Sequence, residues 1–256
     1  MFTHAIVRPP GPNFADGLTT FKGEPPDFHK ALAQHEAYCA ALERCGLELV
    51  RLRADPKYPD STFVEDVAVV TNRLAILTRP GAATRAGEVE SMREPLQRFF
   101  PAIHRISAPG TLDGGDVCQA GNRFFIGISQ RTNEEGATQL ASFLGKAGYA
   151  SSLIDIRGMK GILHLKSGLA SLANDQLVAS RDLADVHDFR EYGILRVAPE
   201  EAYAANCVRV NRHVLIPAGF PRLSDQLANR GFQPLELDTS EFRKMDGGLS
   251  YLSLRF

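Results

Sequence analysis

The sequence predicts one α/β domain, residues 1–256, built from five repeated units with strands lining a centre and helices outside. Two observations carry this reading. A hairpin–helix–strand order recurs every 45 to 50 residues or so, a period that points to a closed or stacked repeat architecture. The first hairpin is split between the two termini, one half following Met1 and the other being the final strand. An all-β propeller would lack the helices, and an alternating barrel would need about eight single strands, each followed by its own helix. Composition agrees with an ordinary folded protein: 256 residues, 44% hydrophobic and 23% charged.

In chain order, "PDFHKALAQHEAYCAALERCG" has helical apolar spacing and a Gly stop at Gly46, followed by the strand "LELVRLRA". "FVEDVAVVTNRLAILTRP" reads as two strands around an Asn turn, then the helix "TRAGEVESMREPLQRFF" and the strand "IHRISA". "GDVCQAGNRFFIGIS" turns at Gly121-Asn122 and leads to the helix "NEEGATQLASFLGKAG" and the strand "SLIDI". "LHLKSGLASLANDQLVAS" turns at Asn174-Asp175. "AANCVRVNRHVLIPAG" turns at Asn211-Arg212, before the helix "RLSDQLANRG" and the strand "QPLELD". A last strand leaves Gly247-Gly248 and carries Ser250 and Tyr251.

A net charge of −1 argues against nucleic acid or a membrane surface as partner. Cys39, Cys45, Cys118 and Cys207 have no metal-ligand spacing, so reduced thiols in a cytoplasmic protein are expected. The N-terminus shows no export signal, and no apolar run reaches the length of a membrane span. No metal site and no cofactor are expected.

Polar residues gather where strands begin. Glu65-Asp66 interrupts the apolar run "FVEDVAVV"; neighbours in a strand face opposite sides, so one carboxylate turns to the core or a cleft, where it needs a partner. Asp113 and Asp116 flank Gly114-Gly115, which a turn alone would explain. His164 stands alone among apolar residues, more often the mark of a satisfied core histidine. Arg85 and Arg131, each before a helix, read singly as surface charges.

Taken together, "PDSTFVEDVAVV", "LTRPGA", "TLDGGDV", "LHLKSGLASL", "AANCVRVN", "LIPAG" and "DTSEFRKMDGGLS" resemble, in order and spacing, the dimethylarginine dimethylaminohydrolases of the pentein superfamily. The resemblance covers essentially the whole chain and implies a five-bladed ββαβ propeller with its active site at the centre. It further implies hydrolysis of a methylated arginine to citrulline and an amine through a cysteine thiolate. His164 is then the general acid and base, and Asp113 orients it. Asp66, with Glu65 near it, binds the guanidinium; Asp60 takes the α-amino group, Arg85 and Arg131 the carboxylate. Leu18 is the lid residue, and Met245 and Ser250 belong to the same substrate-binding set. The implied partner is a small guanidino amino acid, and a homodimer is a permitted assembly.

One position departs. The family's cysteine follows the serine of "DGG-x-S", and here that place holds Tyr251. A phenol is only about a thousandth ionised at neutral pH, and losing a covalent nucleophile costs on the order of 10⁶ in rate. Its ring could instead hold a guanidinium by cation–π contact worth about 0.5–2 kcal/mol. Three readings stand: a hydrolase that uses water, a pseudoenzyme that only binds, or an incidental substitution in an ordinary dimethylargininase.

Overall fold

The computed structural model describes residues 1–173 and 175–256. The chain opens with β1 (His4–Val7), α1 (Phe28–Arg44) and β2 (Glu48–Arg51). It continues through β3 (Ala68–Val70), β4 (Ala75–Leu77), α2 (Arg93–Gln97) and β5 (Ile103–Arg105). The third unit is β6 (Val117–Ala120), β7 (Arg123–Ile128), α3 (Glu134–Lys146) and β8 (Ala150–Asp155). The fourth is β9 (Leu169–Ala173), β10 (Gln176–Ala179) and β11 (Gly193–Arg196). The fifth is β12 (Val208–Val210), β13 (His213–Pro217), α4 (Pro221–Ala228) and β14 (Gln233–Leu237), followed by α5 (Ser240–Arg243) and β15 (Ser253–Arg255).

These strands form five three-stranded sheets, each an antiparallel pair extended by a parallel third strand. The first sheet joins both ends of the chain: β15 pairs antiparallel with β1, Ala5 opposite Arg255, and β1 pairs parallel with β2. The split hairpin expected from the sequence is therefore present. Each middle strand is apolar and hidden, with Ile6, Ile76, Ile126, Val178 and Leu215 all inaccessible to solvent. Such a strand has neighbours on both edges and packing on both faces, so it needs no polar alternation.

Local chemistry sets the crossovers. The Asp27 carboxylate caps α1 by accepting from Lys30 N (2.8 Å), and the chain leaves that helix through Gly46 at φ +91°. Asn133 caps α3 in the same way through Gly136 N (2.9 Å). The helix expected over "TRAGEVESMREPLQRFF" is largely 3₁₀ turns, and α2 keeps only five residues. Gly87 lies against the Tyr58 ring, and Pro95 has no N–H to extend a helix upstream. The fourth crossover contains a single 3₁₀ turn, His187–Phe189, and no α-helix. The turns at Gly121-Asn122 and Asn211-Arg212 fall where expected, with Asn211 at φ +57°. The one expected at Asn174-Asp175 reaches residue 174, outside the described residues. Among the described residues no helix is long and apolar enough to cross a membrane.

The hub differs from its sequence reading. The stretches carrying Glu65-Asp66, His164 and Ser250-Tyr251 are not strands. Each first strand is preceded by a 3₁₀ turn: Val64–Val67, Gly114–Asp116, Leu165–Ser167, Pro199–Ala205 and Leu249–Leu252. His164 caps the third of these in extended conformation. The five turns form a ring. Asn206 closes it, donating to Lys166 O (2.7 Å) and Ser250 Oγ (2.8 Å) and accepting from Ser250 N (3.0 Å).

Candidate active site

Neighbouring residues in the ring face opposite ways. Asp66, His164 and Tyr251 line a front cleft with Leu18, Asp60, Arg85, Arg131 and Met245. Glu65 and Ser250 do not reach it; both line a separate rear cavity. There Glu65 pairs with Lys166 (2.7 Å) and Arg255 (3.0 Å), while the Ser250 hydroxyl is held by Asn206. Asp113 is fully buried behind the histidine.

At the centre, His164 Nε2 meets Asp113 Oδ2 at 3.2 Å, and Gly81 N holds the other Asp113 oxygen at 2.8 Å. Burial alone disfavours an imidazolium, but the carboxylates of Asp66, Asp116 and Asp113 outweigh it and push the His164 pKa up to about 9. The imidazole is therefore charged at neutral pH. Its Nδ1, buried in the cleft wall, has no hydrogen-bond partner among the described residues.

Asp116 ties the ring together. It accepts from Ser129 Oγ (2.7 Å), Thr132 Oγ1 (2.6 Å) and Leu165 N (2.9 Å), and burial raises its carboxyl to about 6 against the pull of His164. Asp66 is held by Arg85 (2.5 Å) and Gly115 N (2.9 Å). Burial works against its charge, yet His164 and Arg85 bring its pKa below the ordinary value. The donor atoms of Asp66, Asp113 and His164 lie within 4.8 Å of one another, so this trio is where a cation could sit. Arg85 and the charged imidazole already fill that role electrostatically.

The two glycines of "DGGD" serve close approach more than turning. A Cβ on Gly114 would fall 1.9 Å from Glu65 O, and one on Gly115 would lie within 3.0 Å of Asp66, His164 and Tyr251 at once. Gly115→Ala is expected to cost about 1–3 kcal/mol through overpacking, read as a lower urea midpoint with an unchanged slope.

Arg85 is less a reader of substrate than a buried counter-ion. Its guanidinium bonds Asp66, Glu88 (2.8 Å) and the carbonyls of Asp60 and Phe63. Arg131, half-buried in the same cleft, forms no ion pair among the described residues. Asp60 takes the Leu18 N–H on both oxygens (3.1 and 3.3 Å), which holds the Leu18 loop against the cleft. Thr20 fastens that loop to Asp246 by two further bonds (2.6 and 2.9 Å).

Tyr251 stands over the histidine, ring centroids 5.6 Å apart, with its hydroxyl 2.9 Å from Ser167 Oγ. Burial raises its pKa well above the phenol value; the Ser167 bond opposes this, and Asp66, Glu65 and Asp116 add to it. All four cysteines are buried, and burial lifts Cys39 and Cys207 to about 12 and Cys118 to about 11. With the Leu18 loop against it the cleft holds about 30 Å³, room for a water but not an amino acid.

Ser167, Glu88 and Lys166 were not singled out from the sequence. Glu88 carried one signal, standing three residues after Arg85.

The linkage of His164 gives a pH dependence. Its folded pKa of about 9 lies above the unfolded value of 6.5. The stabilisation is therefore fully present below pH 6.5 and is lost as pH rises through 9, about 3 kcal/mol in all. Urea unfolding between pH 6.5 and 9 should show this decline, and His164→Gln should flatten it.

Five three-stranded blades, four of them with a crossover helix, around a hub that buries a charged histidine among carboxylates define the pentein fold. Residues 92–212 match the arginine deiminase family. The chain is 46% identical to the N(G),N(G)-dimethylarginine dimethylaminohydrolase of Pseudomonas aeruginosa, over 100% of both chains. A structure from that organism, a cysteine-to-serine variant complexed with citrulline, superimposes at a TM-score of 0.97 with 46% identity and full coverage of both chains. A further dimethylarginine dimethylaminohydrolase structure, a histidine-to-glycine variant in adduct with S-methyl-L-thiocitrulline, gives 0.96 and 45% over the same full span. The chain belongs to the dimethylarginine dimethylaminohydrolase family.

Proposed function

We propose that residues 1–256 form one domain whose front cleft binds an arginine-like amino acid and hydrolyses its guanidino C–N bond with water as nucleophile, giving citrulline and an amine. The observation that carries this is the His164 imidazole in the cleft wall, oriented by Asp113, charged at neutral pH, and with its buried Nδ1 lacking a hydrogen-bond partner among the described residues. A departing nitrogen is the group it fits. The imidazolium gives one proton to that nitrogen as the C–N bond breaks. Water adds to the guanidinium carbon and forms the new C–O bond before the amine leaves; one of its protons returns to the imidazole and the other goes out on the amine, which departs as an ammonium ion beside neutral citrulline, so the histidine ends as it began.

Tyr251 closes the covalent route. The cysteine and histidine changed in the two solved relatives stand as far apart in sequence as Tyr251 and His164 do here. That agreement supports reading Tyr251 as the occupant of the nucleophile position. A phenol whose pKa burial raises above its ordinary value stays un-ionised at neutral pH and is no nucleophile, so slow turnover is expected. A second reading, binding without turnover, draws on Tyr251 itself, a buried phenol beside His164 that offers a bound guanidinium a ring and no thiolate.

At the other end, Arg131 takes the substrate carboxylate, and Asp60 takes the ammonium once the Leu18 lid lifts. Calorimetric titration with citrulline tests this. Arg131→Gln should weaken binding by about 1.5–3 kcal/mol, the worth of a charge-assisted bond, without lowering stability. Unchanged affinity would remove Arg131 from the site.

A further inference from the structure

Behind the ring of 3₁₀ turns lies the rear cavity, about 600 Å³, which shares no lining residue with the front cleft. Its walls come from the first strands of the blades and present small apolar side chains such as Ala68, Ala170 and Val208. Its floor is charged. Lys166 and Arg255, both largely buried, lean on the same oxygen of Glu65, at 2.7 and 3.0 Å. Towards the mouth, Arg73 and Arg209 donate to the backbone carbonyls of Ala147 and Asn211 and form no ion pair among the described residues. Four cationic side chains therefore face one carboxylate.

We propose that this rear cavity is a second binding site, for a small multivalent oxyanion bearing phosphate or clustered carboxylate groups, seated over Lys166 and Arg255 and gripped at the mouth by Arg73 and Arg209. A concave surface with one sign of excess charge and low-dielectric walls concentrates its field on a counter-ion. Arginine forks suit the oxygens of phosphate and carboxylate alike. The volume accommodates such an anion with part of its hydration. A cationic ligand would meet net repulsion.

Inorganic phosphate and citrate, titrated separately into the intact protein at low ionic strength, distinguish the two sources of charge. Saturable one-site binding of either anion is expected. Arg73→Gln, at an exposed position, and Arg209→Gln, at a half-buried one, should each weaken it about tenfold, one charge-assisted bond being lost. Citrulline affinity at the front cleft should stay unchanged in both variants. Binding of neither anion, or binding equally tight in both variants, would overturn the proposal.

Discussion

Tyr251→Cys should raise citrulline formation from dimethylarginine by at least about 10³-fold over the unaltered chain, since a covalent nucleophile is worth on the order of 10⁶. The substitution removes the ring that stands over His164 and puts a thiol in its place. An imidazolium close by favours thiolate, although Asp66 and Asp116 oppose it, so the new thiol should titrate below its reference value near 8.5. Alkylation rate against pH reads that titration directly. Adding His164→Ala should abolish the gained activity. A folded Tyr251→Cys protein with an ordinary thiol and no citrulline would show that the cleft differs from the family's by more than its nucleophile.

Arg85→Met should destabilise the fold by about 3–5 kcal/mol, the cost of leaving buried charge uncompensated. Asp66, Glu88 and Arg85 are each about 95% or more buried, and the guanidinium is the cation that both carboxylates contact. The family resemblance makes Arg85 a carboxylate reader, a role whose loss would appear in substrate affinity. The structure moves the expected effect to stability, measurable as a shift in urea midpoint. The contrast with Arg131→Gln is the informative part, because that side chain lies in the same cleft and forms no ion pair among the described residues. Equal stability of Arg85→Met and the parent would contradict the counter-ion role.

The repeat was legible because the hairpins of the second, third and fifth units turn on Gly or Asn and the two longest helices carry side-chain caps. Asp27 and Gly46 mark α1, and Asn133 marks α3. The hub was not. "FVEDVAVV" alternates like a continuous strand, and nothing in it announces that Val64–Val67 is a 3₁₀ turn held by contacts with other turns. The inference that Glu65 and Asp66 face opposite ways survived, since a 3₁₀ turn also separates neighbours. Which of the two enters the cleft depends on Arg85 on one side and Lys166 on the other, both distant in sequence. The same limit applies to Gly115, whose need for a missing side chain arises from three residues that only the closed ring brings together.

The most direct test is citrulline formation from dimethylarginine by the unaltered chain in single-turnover conditions, with His164→Asn as the paired control. The account expects slow release of citrulline and dimethylamine in equal amounts from the parent, and a rate at least about tenfold lower in His164→Asn, because general acid–base catalysis contributes 10²–10⁴-fold where it operates. No citrulline from either protein, with dimethylarginine bound to both, would contradict hydrolysis by water and leave the cleft as a binding site alone.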